Sequence, residues 1–173
     1  ARVRDWKTGD PLDPANHLGA LIDSEHCSKV GSFLEGAALT GGAMDGPYCP
    51  PTIYEVSKDD RRARDEIFGP VLSVIEVASM EEAIEVANDT DYGLTASVFT
   101  ANARKALRAA RDIRAGTVTV NCYGEGDIST PFGGYKQSGF GGRDNGIHAH
   151  DQYTEIKTIW IDLNDPKDGD NVG

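Results

Sequence analysis

The chain of 173 residues is 39% hydrophobic and 26% charged, which provides enough apolar material for the core of one soluble globular domain or of a piece of a larger one. Its formal net charge of −11 argues against a nucleic-acid-binding protein, because such proteins need a basic face to neutralise phosphates. No apolar run approaches the length of a membrane span and no signal peptide opens the chain, so we expect a cytoplasmic protein with no membrane partner.

The first half of the chain predicts one helix and one short strand. Residues 1–20 are rich in turn-forming glycine and proline, and the chain does not begin with methionine, so we expect further sequence upstream. Apolar residues recur at helical spacing between Ser24 and Ala38, which predicts a helix there. A brief strand is expected at residues 53–56, after a loop rich in glycine and proline.

The middle of the chain predicts strands that alternate with helices. The strands are expected at residues 71–77, 96–100 and 117–120. Ser79 and Glu82 form a capping box at the start of the first intervening helix, and Asn102 caps the second. The apolar face of that second helix is expected to comprise Ala103, Leu107, Ala110 and Ile113. Two such crossover units predict an α/β fold with a parallel sheet and flanking helices.

Two loops next to these strands draw attention as candidate sites. In DEIFGPV, residues 65–71, Gly69-Pro70 ends any helix, so Glu66 and Phe68 stand at the entrance of a strand. Ligands of parallel sheets gather beyond the carboxyl ends of the strands, where residues 121–134 follow the last predicted strand. The glycine-rich segment 129–142 permits close backbone approach, but it matches neither a P-loop nor a dinucleotide fingerprint.

The C-terminal region predicts one more strand and then a tail. The polar and apolar pattern of TEIKTIWI, residues 154–161, predicts a strand with one buried face. No partner strand is obvious nearby in the sequence, so another chain or another part of the fold should cover its edge. The acidic run at residues 164–173 is expected to be a flexible, solvated tail.

Cysteine and histidine residues provide little sign of a metal or disulfide site. The three cysteines, Cys27, Cys49 and Cys122, are scattered without a CxxC pair, which fits a reducing compartment. His148 and His150 could ligate a metal from a strand, but no acid or cysteine cluster accompanies them at ligand spacing. We therefore expect no metal site.

Four motifs together carry a family resemblance. DEIFGPVLSVI, YGLTASVFT, AGTVTVN and STPFGGYKQSGFGG occur in the order and spacing of the aldehyde dehydrogenase superfamily, and the chain resembles the C-terminal portion of such enzymes from about residue 9 to 163. The resemblance implies a partial catalytic domain at residues 1–150, an oligomerisation strand at 151–163 and the tail at 164–173. It also implies a homodimer or homotetramer joined through that strand.

The resemblance assigns cofactor contacts to three residues. Glu66 would accept hydrogen bonds from the nicotinamide ribose hydroxyls, and Phe68 would lie against that end of NAD or NADP. A carboxylate can bind a diol through both oxygens, and a ring limits where the nicotinamide sits. Leu94 resembles a residue near the nucleophile and the nicotinamide. The alternative is that Glu66 is a surface acid and that Phe68 and Leu94 are core residues.

The resemblance also implies an aldehyde-binding pocket. Phe132 resembles the family's substrate-pocket aromatic, and Gly126 stands where many members carry a second aromatic, so the pocket should be wider there. The pattern is most similar to members that oxidise gamma-glutamyl aldehydes or other aminoaldehydes. Asp127, with Glu125, would attract a cationic substrate. The alternative for Asp127 is that it only holds the shape of the loop.

The family's chemistry implies that this chain is inactive alone. A cysteine thiolate attacks the aldehyde, hydride passes to the nicotinamide, and a glutamate-activated water releases the acid. The nucleophile and the base lie upstream of the matching region, so no catalytic residue is expected here. Two other hypotheses remain: a truncated, inactive module that only self-associates, and a thiol enzyme that uses Cys122, for which the spacing indicates no histidine base.

Overall fold

The computed structural model of the chain describes residues 2–124 and 126–163. The helices and strands, in chain order, are α1 (Ser24–Gly31), β1 (Thr52–Glu55), α2 (Arg61–Arg64), β2 (Val71–Val74), α3 (Met80–Asn88), β3 (Thr95–Val98), α4 (Ala103–Asp112) and β4 (Thr117–Val120). Short 3-10 helices occupy Arg2–Asp5, Lys136–Ser138 and Ile147–Tyr153. No described helix is long and apolar enough to cross a membrane.

The strands form two parallel pairs, one in each of two compact units. The first unit contains the chain up to Thr90 together with Arg111–Ile113, and in it β1 pairs with β2. The second unit contains Asp91–Ala110 and the chain from Arg114 onward, and in it β3 pairs with β4. The predicted α/β class with parallel strands and helices is therefore confirmed, and the crossover from β3 through α4 to β4 is formed as expected. The other predicted crossover, from β2 through α3 to β3, is not formed within one sheet of the described residues, since β2 pairs with β1.

The core of the first unit lies between α1, β1 and the segment before β2. Its buried cluster comprises Val30, Phe33, Cys49 and Ile67. The adjacent strand β1 buries Tyr54 and Thr52 almost completely. The Thr52 hydroxyl donates to the Pro50 carbonyl at 2.9 Å and accepts from the Gly42 amide at 3.0 Å, so this polar side chain is buried with its hydrogen bonds made.

Local capping signals predicted the starts of two helices correctly. The Ser79 hydroxyl accepts from the Glu82 amide at 3.1 Å, and the Glu82 carboxylate accepts from the Ala78 amide at 2.8 Å. The capping box is therefore formed, with the carboxylate reaching one residue further back than the usual pattern. At α4, the Asn102 side chain accepts from the Lys105 amide at 3.1 Å.

Two helix predictions were wrong in detail. The first helix ends at Gly31 rather than near residue 38, because the chain leaves it through single turns and Gly36 takes a positive φ of 81°. In α4, Ala106 and Ala109 are the buried residues, whereas Leu107 is 74% exposed. The predicted face of Ala103, Leu107, Ala110 and Ile113 is therefore not the buried one; the two alanines, three residues apart, share the inward face.

The C-terminal strand prediction is not met in the single chain. Residues 154–163 form no strand pairing with other described residues, and side chains on both faces are exposed, including Ile156 and Trp160. The consecutive Ile159, Trp160 and Ile161 would place apolar groups on both faces of a strand, so the sequence does not define a single buried face here. The tail at 164–173 and Glu125 lie outside the described residues, and the oligomerisation role stays a prediction.

Candidate functional site

The DEIFGPV segment presents two exposed side chains on either side of a buried one. Ile67 is 7% exposed and belongs to the core cluster, whereas Glu66 is exposed and Phe68 is 71% exposed. Asp65, which follows α2, is extended, whereas Phe68 has a positive φ of 55°. Phe68 is therefore not a core residue, and Glu66 and Phe68 are both available to a ligand.

The end of this segment, Gly69-Pro70, contacts both β1 and α1. The Thr52 amide donates to the Pro70 carbonyl at 2.8 Å, which joins the segment to β1. On the other side, a Cβ atom placed on Gly69 would lie 2.9 Å from one methyl carbon of Val30, so only glycine allows α1 to approach this closely. The position of Glu66 and Phe68 is thus determined by packing against β1 and α1.

Contacts from α1 to Phe68 were missed by the sequence analysis. His26 Nε2 lies 2.8 Å from the Phe68 carbonyl oxygen, and Lys29 Nζ lies 5.3 Å from the centre of the Phe68 ring. These residues precede Phe68 by about forty positions, and no local pattern links them to it. The only available signal was that His26, Lys29 and Val30 share one face of a helix.

A cavity of about 270 Å³ in the second unit brings together the three predicted substrate residues, Gly126, Asp127 and Phe132. Its other lining residues are Thr117, Ile128, Thr130, Pro131 and Asn145. Phe132 is 39% exposed, and its backbone exchanges hydrogen bonds with that of Asp144 at 2.7 and 2.6 Å. The ring therefore projects from a fixed backbone position.

The loop that carries Asp127 is held by short-range hydrogen bonds. The Asp127 carboxylate accepts from the Ser129 hydroxyl and, at 2.8 Å, from the Ser129 amide, while its carbonyl accepts from the Thr130 amide at 2.8 Å. These bonds, first the one from the Ser129 hydroxyl, lower the pKa of Asp127 from its ordinary value. Asp127 thus shapes the loop, as the alternative prediction held, and at neutral pH presents an ionised carboxylate at the cavity.

Gly126 has open space where a side chain would begin. A Cβ atom there would meet no heavy atom within 4 Å, and the backbone is outside the left-handed region. A side chain could therefore be accommodated at this position without displacing a neighbour, and the role of Gly126 in a substrate pocket stays a prediction.

Across the cavity, Asn145 and Gly146 were not identified from the sequence. Both have positive φ, 63° and 62°, and the Gly146 amide donates to the Ile128 carbonyl at 2.8 Å. A Cβ atom on Gly146 would lie 2.8 Å from the Ser129 carbonyl oxygen. The glycine thus allows this turn to close against the pocket loop.

The chain after β4 is held to the carboxyl end of β3, whereas the cavity borders the amino end of β4 at Thr117. The Asn121 side chain accepts from the Thr100 amide at 2.8 Å and donates to the Thr100 carbonyl at 3.0 Å, and its backbone amide donates to Val98. Leu94 lies at the other end of β3, is 40% exposed, and accepts a backbone hydrogen bond from Thr117. Leu94 is outside the set of described residues that line the cavity.

Two of the three cysteines donate to main-chain carbonyl oxygens. Burial, with a smaller effect of Cys27, raises the pKa of the Cys49 thiol, which keeps it protonated. The Cys122 thiol donates to the Val120 carbonyl at 3.4 Å. His148 and His150 lie on a 3-10 helix rather than a strand, and no three His, Cys, Asp or Glu side chains are grouped as metal ligands within residues 2–124 and 126–163.

Comparison with known proteins gives a consistent family. The model of the aldehyde dehydrogenase family matches residues 1–159. The aminoacetaldehyde dehydrogenase of Pseudomonas aeruginosa is 56% identical over 170 residues, which cover 94% of this chain and 34% of that protein. The NADP/NAD-dependent aldehyde dehydrogenase PuuC of Escherichia coli is 45% identical, with the same coverage.

Solved structures agree with the sequence comparisons. The indole-3-acetaldehyde dehydrogenase of P. syringae, determined with NAD+, superposes with a TM-score of 0.85 at 48% identity and covers 92% of this chain. The gamma-glutamyl-gamma-aminobutyraldehyde dehydrogenase of Burkholderia cenocepacia gives a TM-score of 0.83, also at 48% identity, and covers 90%. The chain spans about a third, 34%, of the length of each of these proteins. With the fold, the cavity and the motifs in agreement, the chain belongs to the aldehyde dehydrogenase family.

Proposed function

We propose that this chain forms the substrate-pocket wall and the nicotinamide-end cofactor contacts of an NAD(P)-dependent aldehyde dehydrogenase, as the C-terminal part of its catalytic domain. The observation that carries the proposal is the cavity that Gly126, Asp127 and Phe132 line together. The motif resemblance also assigns these residues to a pocket. Their meeting around one cavity is what a pocket requires.

The chain's residues fit one end of a dinucleotide. The exposed Glu66 carboxylate can accept from both hydroxyls of a ribose, and the exposed Phe68 ring offers a flat apolar surface further along the same backbone segment. Bound NAD or NADP would supply the hydride acceptor. Leu94, which is 40% exposed, is proposed to lie near the same end of the cofactor.

An aminoaldehyde is the proposed substrate class. The relatives described above include an aminoacetaldehyde dehydrogenase and a gamma-glutamyl-gamma-aminobutyraldehyde dehydrogenase. In this chain the ionised Asp127 lies at the cavity and would favour a cationic amino group, while the space at Gly126 leaves room for it. Phe132 would limit the position of the aldehyde carbon chain.

The nucleophilic cysteine and the general-base glutamate are proposed to lie outside this chain. Burial raises the pKa of the Cys49 thiol, which favours its neutral form, a poor nucleophile, and the Cys122 thiol is hydrogen-bonded to the Val120 carbonyl. We therefore expect the isolated chain to show no aldehyde oxidation. This expectation also argues against a thiol enzyme built on Cys122.

Self-association is a second candidate function, favoured by residues 154–163. Apolar side chains on both faces of this segment are exposed in the single chain, with Ile156 fully and Trp160 91% exposed. An extended segment of this kind can add to the sheet of a second copy. A homodimer or homotetramer would cover these side chains, and in the limiting case association would be the only activity the chain retains.

A chimera tests the proposed function directly. This chain would replace the matching third of the P. aeruginosa aminoacetaldehyde dehydrogenase, and NADH formation from aminoacetaldehyde would be measured. We expect an active chimera and an inactive isolated chain. Glu66→Gln should raise the KM for NAD+ by about tenfold, because a hydrogen bond to a charged group is lost. Glu76→Gln, at another exposed glutamate, is the matched control.

The opposite results separate the two candidate functions. A chimera that folds and associates but neither binds NAD+ nor oxidises aldehydes would refute the dehydrogenase proposal and leave self-association. An equal effect of Glu66→Gln and Glu76→Gln on the KM for NAD+ would refute the cofactor role of Glu66 alone.

A further inference from the structure

One face of α1 contacts three consecutive residues of the DEIFGPV segment. Val30 packs with Ile67 in the core and leaves space only for a glycine at position 69. His26, one turn before Val30, contacts the Phe68 carbonyl, and Lys29, three residues after His26, lies near the Phe68 ring. Helical spacing places positions i, i+3 and i+4 on one face, so these contacts follow from a single docking of α1.

Phe68 needs such support because its backbone is unfavourable. Its φ of 55° is in the left-handed region, which costs a residue with a Cβ roughly 1–2 kcal/mol. Two residues further on, Pro70 restricts the chain, and Gly69 is packed against Val30. An unfavourable conformation of a solvent-exposed aromatic persists only where its surroundings maintain it.

A hydrogen bond from His26 stabilises the left-handed conformation of Phe68. The Phe68 carbonyl oxygen can only accept, so His26 Nε2 carries a proton and donates it. His26 Nδ1 is buried and has no hydrogen-bond partner among the described residues. Among the described residues, the imidazole therefore makes a single hydrogen bond. This bond fixes the orientation of the peptide group between Phe68 and Gly69.

Lys29 lies near the ring of Phe68. Its Nζ lies 5.3 Å from the centre of the Phe68 ring, within the range of a cation–π contact. The ring is 71% exposed, so no packing from the core restrains it. The orientation of Phe68 is thus set from α1, through its carbonyl and its ring, and not from the core beneath it.

We infer that His26 is a positioning residue for the nicotinamide end of the cofactor site, which acts by holding Phe68 in its left-handed conformation. The inference rests on the proposed function, since it takes Phe68 as the ring against which the nicotinamide lies. His26 is not a catalytic residue in this account. It orders Phe68 before the cofactor binds, so cofactor binding loses less conformational entropy.

The first test measures the conformation of Phe68 in the full 173-residue chain without cofactor. NMR would give the imidazole nitrogen shifts of His26, which report the tautomer, and the Phe68 amide coupling constant and carbon shifts, which report a positive φ. We expect an Nε2-protonated ring and a left-handed Phe68. His26→Met, similar in length but without a donor, should lose the left-handed signature, and His26→Gln, whose amide can donate from the same distance, should retain it.

Controls distinguish loss of the hydrogen bond from loss of the helix. Glu25→Gln changes an exposed residue on the same helix and should leave the Phe68 signals unchanged. Circular dichroism would show whether each variant is folded. If His26→Met does not fold, the comparison of His26→Gln with wild type still decides, since a folded glutamine variant without the left-handed signature overturns the inference.

The second test uses the chimera described above. His26→Met should raise the KM for NAD+ about threefold to tenfold, the range expected for one lost hydrogen bond, and leave the KM for the aldehyde unchanged. His26→Gln should restore the wild-type value. A purely structural role would lower kcat through loss of active protein without this separation of the two KM values.

Three outcomes would overturn the inference or separate it from the proposed function. A left-handed Phe68 in folded His26→Met would overturn it, as would an unchanged KM for NAD+ in that variant. An inactive wild-type chimera with the expected NMR results would instead refute the proposed function and leave His26 as a residue that holds Phe68 for another purpose.

Discussion

The close contact between Gly69 and Val30 leads to a quantitative prediction for the stability of the first unit. A Cβ atom on Gly69 would lie 2.9 and 3.0 Å from the two methyl carbons of Val30, which is completely buried. Overpacking of this kind lowers the free energy of unfolding by about 1–3 kcal/mol. Alanine also reduces the entropy of the unfolded chain, which raises the free energy of unfolding by about 0.4–1 kcal/mol. Gly69→Ala should therefore destabilise the chain by about 0.5–2.5 kcal/mol.

A double-mutant cycle identifies the cause of that loss. Val30→Ala removes two methyl groups from the core and should cost about 2 kcal/mol by itself. In the double variant the methyl group introduced at position 69 occupies part of the space that Val30→Ala vacates. The double variant should therefore be more stable, by more than about 0.5 kcal/mol, than the sum of the two single losses predicts. Urea unfolding followed by circular dichroism gives all four free energies of unfolding.

Gly126→Ala is the matched control, because a Cβ atom there meets nothing within 4 Å and the backbone is not left-handed. It should leave stability unchanged or raise it by up to about 1 kcal/mol. Equal stabilities of Gly69→Ala and Gly126→Ala, or additive costs in the cycle, would refute the claim that glycine is required for the approach of α1.

The remaining predictions concern the pocket, acid stability and association. In the chimera, Gly126→Phe should fill the cavity and raise the KM for bulky aldehydes more than for aminoacetaldehyde; an equal change for all substrates would contradict the assigned pocket. The Arg62 side chain donates to Asp60 and lowers the pKa of that carboxyl from 3.8 to about 2. Because the folded-state pKa is lowered, its contribution to stability is complete above about pH 4 and is lost as the pH falls towards about 2, so the difference between wild type and Asp60→Asn in urea midpoint should shrink over that range. Removal of residues 154–173 should convert any dimer or tetramer of the chain to a monomer in light scattering, and an unchanged mass would place the contact elsewhere.

Predictions from the sequence succeeded where the signal was local. Ser79, Glu82 and Asn102 act within four residues of their partners, and their caps are formed as expected. The parallel pairing of β3 and β4 also follows from the strand–helix–strand order. These features depend on short-range chemistry, which a single sequence contains.

Predictions failed where tertiary contacts decide the outcome. No pattern near Phe68 indicates a positive φ, because the residue that holds it, His26, is 42 positions away in the chain. In α4, the sequence contains an apolar leucine at position 107, but burial of Ala106 and Ala109 depends on which face is covered. The placement of Gly126, Asp127 and Phe132 around one cavity was expected only from family resemblance, and it needed the structure to be tested.

The two candidate sites differ in how function is connected to stability. At Glu66 and Phe68, the intervening Ile67 is part of the core cluster and the adjacent Gly69 touches buried Val30, so substitutions that weaken this core should also change cofactor binding. The pocket loop at Gly126 has no neighbour that a new side chain would meet, and its shape is held by hydrogen bonds within the loop. In the proposed enzyme, a change of substrate preference at Gly126 would cost little in folding, whereas a change in the proposed cofactor contacts would require α1 to repack. Cofactor use should accordingly be the more constrained property of the two, since its geometry and the stability of the first unit depend on the same side chains.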